Sequence, residues 1–90
     1  MKMSDNTILI TGGASGIVLE LARHLSFQNK VIITGRDQNK LDLAKAKLGS
    51  IHTIQSDVSD PKAITALYEV ITREFPELNV LINNAGFMKM

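Results

Sequence analysis

Thr7-Ile8-Leu9-Ile10-Thr11-Gly12-Gly13-Ala14-Ser15-Gly16-Ile17-Val18 is the stretch from which this chain is read. Its first five residues are β-branched or apolar without interruption, the pattern of a strand covered on both faces. From Gly16 to Leu25 the apolar positions Ile17, Leu21, Ala22 and Leu25 recur at helical spacing, and Glu20, Arg23 and His24 take the other side. A glycine-rich turn therefore joins a strand to a helix. The start of a helix leaves backbone N–H groups unpaired and carries positive partial charge, so a phosphate is stabilised there. Gly12 and Gly16 let the backbone turn tightly and approach a ligand closely, and Ser15 can add a hydroxyl. No Lys-Ser/Thr pair follows the second glycine, so the turn is not a P-loop. Taken alone, it could equally be a tight connection that holds nothing.

The same alternation continues downstream. Lys30-Val31-Ile32-Ile33-Thr34 is a second buried-type strand, stopped by Gly35. Asp37 can cap a helix whose Leu41, Ala44 and Leu48 share one face, with Gly49 as its stop. Ile51-His52-Thr53-Ile54-Gln55 is a third strand, polar enough to lie near an edge. Ser59-Asp60-Pro61 starts a helix, with Pro61 suited to its first turn. Its expected apolar stripe is Ile64, Leu67, Tyr68, Ile71 and Phe75, ended by Pro76. Val80-Leu81-Ile82 is a fourth buried-type strand, leading into Asn83-Asn84-Ala85-Gly86. Short strands separated by helices imply right-handed crossovers and a parallel sheet, so the fold class is α/β.

Ninety residues allow one small domain at most. With 44% apolar and 21% charged residues, the composition is that of a globular chain. A net charge of +1 offers no electrostatic reason to bind nucleic acid or an anionic membrane. Lys40, Lys45 and Lys47 are interleaved with Asp37 and Asp42, as on a solvated helix face. The absence of cysteine excludes disulfides, thiolate metal sites and cysteine nucleophiles. His24 and His52 lie too far apart, and too poor in neighbouring ligands, to suggest a metal. The opening residues lack a signal-peptide apolar core and no run reaches membrane-spanning length, so a soluble cytoplasmic protein is expected.

Three further features point to a ligand. Gly35-Arg36 ends the second strand, where doubly wound folds read an adenosine ribose. An acid there would accept from the ribose 2′-OH and favour NAD. Here Gly35 leaves room and Arg36 offers a guanidinium fork suited to a 2′-phosphate, which favours NADP(H). Asp57-Val58 follows the third strand and Asn83-Asn84-Ala85-Gly86 the fourth, both at strand carboxyl ends. Ligands of open parallel sheets bind at that edge.

These residues together resemble the N-terminal half of the short-chain dehydrogenase/reductase family, over essentially the whole chain. Thr11-Gly12-Gly13-Ala14-Ser15-Gly16-Ile17 is similar to the family's phosphate turn. The resemblance implies a Rossmann-like three-layer α/β/α fold with four parallel strands in the order 3-2-1-4, truncated before the later strands. It implies that Asp57 meets the exocyclic amine of adenine beside Val58, and that Asn84, Ala85 and Gly86 lie along the adenosine. Arg36 matches the basic position of NADP-preferring members. The opening, Ile51-His52-Thr53 and Tyr68-Glu69 also resemble the oxidoreductase group of lipoteichoic-acid D-alanylation operons.

Two departures matter. Val18 stands where the family has the last glycine of its turn. A β-branched residue there is expected to overpack the helix against the sheet, shifting the phosphate-binding N–H groups, unless it points into slack space. The family's hydride-transfer residues, a serine, a Tyr-x-x-x-Lys pair and an asparagine, belong to a part downstream of Asn-Asn-Ala-Gly. The one tyrosine here, Tyr68, has Thr72 four residues later and is expected to pack in the core. No catalytic residue is assigned. The expected role is the NADP(H)-binding half of an oxidoreductase, residues 1–90 forming a partial Rossmann domain that is not catalytic alone. The alternatives are a non-catalytic Rossmann-like module binding a nucleotide or a protein, and an inactive truncation product. An uncovered fourth strand, extended by Phe87, Met88 and Met90, implies a homo-oligomer through that strand or the adjacent helix faces.

Overall fold

The continuous apolar run at the start of the chain forms β1 (Thr7–Thr11), and all five of its residues are buried. A strand can be buried throughout only if both faces of its sheet are covered, and here they are. The computed structural model describes residues 4–12, 16–57 and 59–83. After β1 come α1 (Gly16–Leu25), β2 (Lys30–Gly35), α2 (Gln38–Leu48), β3 (His52–Gln55), α3 (Pro61–Glu74) and β4 (Val80–Asn83). The four strands are parallel in the order β3-β2-β1-β4, as the resemblance implied.

Alternation along the strands divides the core in two. Ile8, Ile10, Val31 and Ile33 point to one side, where Val18 and Ala22 of α1 and Leu41 and Ala44 of α2 cover them. Leu9 and Ile32 point to the other, under Leu67, Ile71 and Phe75. The product is a three-layer α/β/α sandwich with β3 and β4 at the edges of the described sheet.

One expected helix face is rotated, and another is narrower than expected. On α1 the buried residues are Val18 and Ala22, whereas Ile17 is 83% exposed and Leu21 is also exposed. Positions 18, 22 and 25 have helical spacing just as 17, 21 and 25 do, so periodicity alone does not choose between them. Contact with the sheet buries Val18 beside Ala22, which was expected inside, and leaves Ile17 and Leu21 outside. On α3 the line Leu67, Ile71, Phe75 fills the space over Leu9 and Ile32, with Ile64 half-buried. Tyr68 lies one residue further round and is 61% exposed, not in the core.

The caps match their sequence signals. Asp37 Oδ1 accepts from the backbone N–H groups of Asn39 at 2.9 Å and Lys40 at 3.4 Å. Gly49, at φ 78°, ends α2 in a conformation that side chains disfavour. Asp60 caps α3 by accepting from Lys62 N at 3.0 Å, with Pro61 in the first turn.

An asparagine cluster ties the amino edge of the sheet. Asn79 Oδ1 accepts from Thr7 N at 2.8 Å, and Asn79 Nδ2 donates to Asn6 Oδ1 at 2.9 Å. Asn29 Oδ1 accepts from Asn6 N at 2.9 Å while its Nδ2 donates to Leu25 O at 2.9 Å. These bonds set where β1, β2 and β4 begin. They therefore help set where the strands end, and the ends carry the site.

Candidate functional site

At the carboxyl edge, β1 stops at Thr11, which pairs in register with Asn83 of β4. Gly12 follows at φ 117°, a backbone state closed to most side chains. It turns the chain sharply off the sheet towards α1, whose amino end is Gly16. A Cβ added at Gly16 would meet no described atom within 4 Å. A turn of this kind exposes N–H donors and a positive helix end to an anion.

Next to it lie the ends of β2 and β3. Gly35 pairs with Gln55, and its carbonyl accepts from Ser56 N at 2.8 Å, extending the ladder by one bond. Gly35 is buried and Arg36 is exposed. Gln55 Nε2 donates to the Arg36 carbonyl at 3.1 Å, tying the Arg36 backbone to β3. Asp57 Oδ1 accepts from both the backbone N–H of Ser59 at 3.0 Å and its hydroxyl at 2.6 Å. The Ser59 hydroxyl and then its N–H hold the Asp57 carboxyl below its ordinary value, with burial opposing them and the charge of Arg36 adding the smallest effect. An anion receptor and an anionic acceptor thus stand side by side.

Below this platform two hydroxyls are buried without a hydrogen-bond partner among the described residues, Thr34 Oγ1 and Ser56 Oγ. Thr34 pairs with Ile54, and Ser56 lies two residues beyond Ile54. Strand alternation therefore puts Thr34, Ile54 and Ser56 on the α3 side of the sheet. Neither hydroxyl was singled out by sequence, because a threonine in an apolar strand reads as an ordinary β-former.

Of the expected site residues, Gly12, Gly16, Arg36 and Asp57 come to one edge of one sheet. Ile17 is in the first turn of α1 with its side chain in solvent. Ser15, Val58, Asn84, Ala85 and Gly86 lie outside the described residues, as do Phe87, Met88 and Met90. Val18 is 2% exposed and packs in the core with Ile8, Ile10 and Ala22. It is not in slack space, because its stripe of α1 is the one that faces the sheet. Ser59 was read only as part of a helix-start signal. The Asp-x-Ser spacing itself was the sign that its N–H and hydroxyl could close back on Asp57.

The donors and charges at this edge fit a dinucleotide. Gly12 turns the chain at the end of β1, Gly16 opens α1, Arg36 is an exposed cation and Asp57 an anionic acceptor. Among the described residues no three His, Cys, Asp or Glu side chains gather as metal ligands, and no helix is long and apolar enough to cross a membrane.

Known proteins share this fold. Residues 6–90 match the family model for short chain dehydrogenases. The chain is 54% identical over 90 residues to the uncharacterized oxidoreductase DltE of Bacillus subtilis (strain 168), covering 99% of this chain and 36% of that relative. Among solved structures it is similar to the menthone neomenthol reductase from Mentha piperita, with a TM-score of 0.82 and 30% identity over 92% of this chain and 32% of that one. It is also similar to the L-sorbose reductase from Gluconobacter frateurii, solved with NADPH and L-sorbose. That match has a TM-score of 0.79 and 30% identity, over 96% of this chain and 36% of the reductase. The chain thus spans little more than a third of the length of these proteins.

Proposed function

The chain belongs to the short-chain dehydrogenase family, and on that premise we propose that it is the NADP(H)-binding part of an oxidoreductase. The observation that carries the reading is the convergence of Gly12, Gly16, Arg36 and Asp57 at the carboxyl ends of β1, β2 and β3. The turn from Gly12 to Ile17, with the Ser15 hydroxyl, holds the pyrophosphate on the N–H groups of α1. Arg36 takes the ribose 2′-phosphate through charge-assisted hydrogen bonds, and Gly35 keeps the approach clear. Asp57 accepts from the adenine amine beside Val58, and Asn84, Ala85 and Gly86 line the adenosine. The bound dinucleotide supplies the hydride chemistry. The part played by this chain is to bind and orient, and none of its side chains is assigned to hydride transfer. Tyr68, on the exposed face of α3 with Thr72 four residues on, has no such role.

Support for the phosphate preference comes from the exposed Arg36, whose guanidinium makes no hydrogen bond or ion pair among the described residues. The NADPH bound in the similar L-sorbose reductase points the same way. Titration of the chain with NADPH and NADH tests the reading. A charge-assisted bond is worth about 1.5–3 kcal/mol, so NADPH should bind roughly ten- to hundredfold tighter. Arg36→Ala should erase the difference. Equal affinity for the two cofactors in the parent chain would count against NADP(H).

Leu81, 57% exposed on edge strand β4, favours self-association through that strand or the neighbouring helix faces. Light scattering at high protein concentration should give a mass above one chain, and a strictly monomeric mass would refute it.

A further inference from the structure

The Asp57 carboxylate is not left to find its own orientation. Ser59 closes on it with two bonds to the same oxygen, 3.0 Å from the backbone N–H and 2.6 Å from the hydroxyl. Oδ2 accepts nothing among the described residues and remains the free acceptor. The Asp57 carbonyl in turn accepts from Asp60 N at 3.0 Å, and Asp60 caps α3. The carboxylate is thereby fixed to the start of a helix instead of to a free loop. An unrestrained aspartate must give up rotamer freedom when a ligand binds, and one already held does not.

We propose that Ser59 is a positioning residue for the adenine end of the cofactor site, holding Asp57 by one oxygen so that the other reads an exocyclic amine. The inference rests on the reading of Asp57 as the adenine contact. It goes beyond that reading by assigning the selection of an amino-purine over an oxo-purine to a Ser59–Asp57 pair. A carboxylate favours an amine donor and opposes a carbonyl oxygen, which is a second acceptor. The two Ser59 donors, and more weakly the charge of Arg36, favour the ionised group, in keeping with its lowered titration.

The test compares NADPH with deamino-NADPH, whose hypoxanthine carries a carbonyl in place of the amine. Dissociation constants are measured for the parent, Ser59→Ala and Ser59→Thr. In the cofactor-free proteins the Asp57 carboxyl is also titrated by carbon-13 NMR. The parent should prefer NADPH by about tenfold or more. In Ser59→Ala, which loses the hydroxyl but keeps the backbone N–H, the preference should fall about two- to threefold, the lower end of the cost of ordering one side chain. Ser59→Thr, which keeps both donors, should retain it. Without cofactor, Asp57 should titrate higher in Ser59→Ala than in the parent and stay low in Ser59→Thr.

If Ser59→Ala weakens both cofactors equally and leaves their ratio at the parent value, Ser59 only supports the fold and the proposal is wrong. A parent that does not distinguish the two cofactors overturns the adenine reading of Asp57 itself, and the Ser59 assignment with it. The two failures are therefore told apart by the parent ratio.

Discussion

Val18→Gly perturbs the fold and the proposed site in opposite directions. Val18 is two residues into α1 and 2% exposed, packed in the cluster that contains Ile8, Ile10 and Ala22. Its side chain is thus a spacer between the first turn of the helix and the sheet. Removing it forfeits about 1.5–3 kcal/mol of burial. Glycine in a helix costs about a few tenths of a kcal/mol more than valine. A loss of about 2–3 kcal/mol is large against the roughly 5–15 kcal/mol that stabilises a whole domain. At about 4–8 °C per kcal/mol for a domain of this size, Tm should fall by roughly 10–20 °C. The same deletion lets the start of α1 settle onto the sheet, as it does where the family has glycine. Realigning its N–H groups should tighten NADPH binding by about 1 kcal/mol, or roughly fivefold. Thermal unfolding by circular dichroism and fluorescence titration with NADPH, the latter well below the variant's Tm, give the two numbers. Val18→Ala keeps helix propensity and should fall between them. Lower stability with equal or weaker NADPH affinity would refute the spacer argument and leave Val18 as core alone. Unchanged stability would refute its place in the core.

Two further outcomes follow from buried and partly buried polar groups. Thr34→Val replaces a fully buried hydroxyl that has no partner among the described residues, so it should leave stability unchanged or raise it by about 1 kcal/mol; a clear drop in Tm would show that the hydroxyl is satisfied after all. His52 rests edge-on against Phe75, with ring centroids 5.1 Å apart, and burial, then Lys45 and Lys30, lower its pKa from 6.5. Its protonation is thus harder in the folded chain, so stability should decline as pH falls through about 6.5, where the unfolded chain takes up the proton first, and should level off below the folded pKa. Urea unfolding between pH 7.5 and 5.5 should show this slope and Gln at position 52 should flatten it; an equal slope in both proteins would exclude His52 as its source.

Much of the architecture was legible because its signals are local. The β-branched run of β1 could be satisfied only by cover on both faces, and it is buried throughout. Asp37, Gly49, Asp60 and Pro61 act within one turn of the residues they cap, so their roles follow from spacing alone. Strand order did not follow from such signals. It came from likeness to a family, because nothing in an isolated strand says which neighbour it will choose.

The sequence by itself determined the order of elements, the caps and the edge at which the glycine turn, Arg36 and Asp57 would meet. Tertiary structure decided which of two stripes, about 100° apart, α1 turns to the sheet. It buried Val18 instead of Ile17, and on α3 it kept the expected Leu67, Ile71 and Phe75 but left Tyr68 exposed. Helical periodicity is nearly the same for adjacent stripes, so the choice falls to the fit of side-chain sizes against strands distant in sequence. Tertiary structure likewise brought the charge of Arg36 to the carboxylate of Asp57. That meeting depends on the parallel pairing of β2 with β3, a long-range contact that no local pattern encodes.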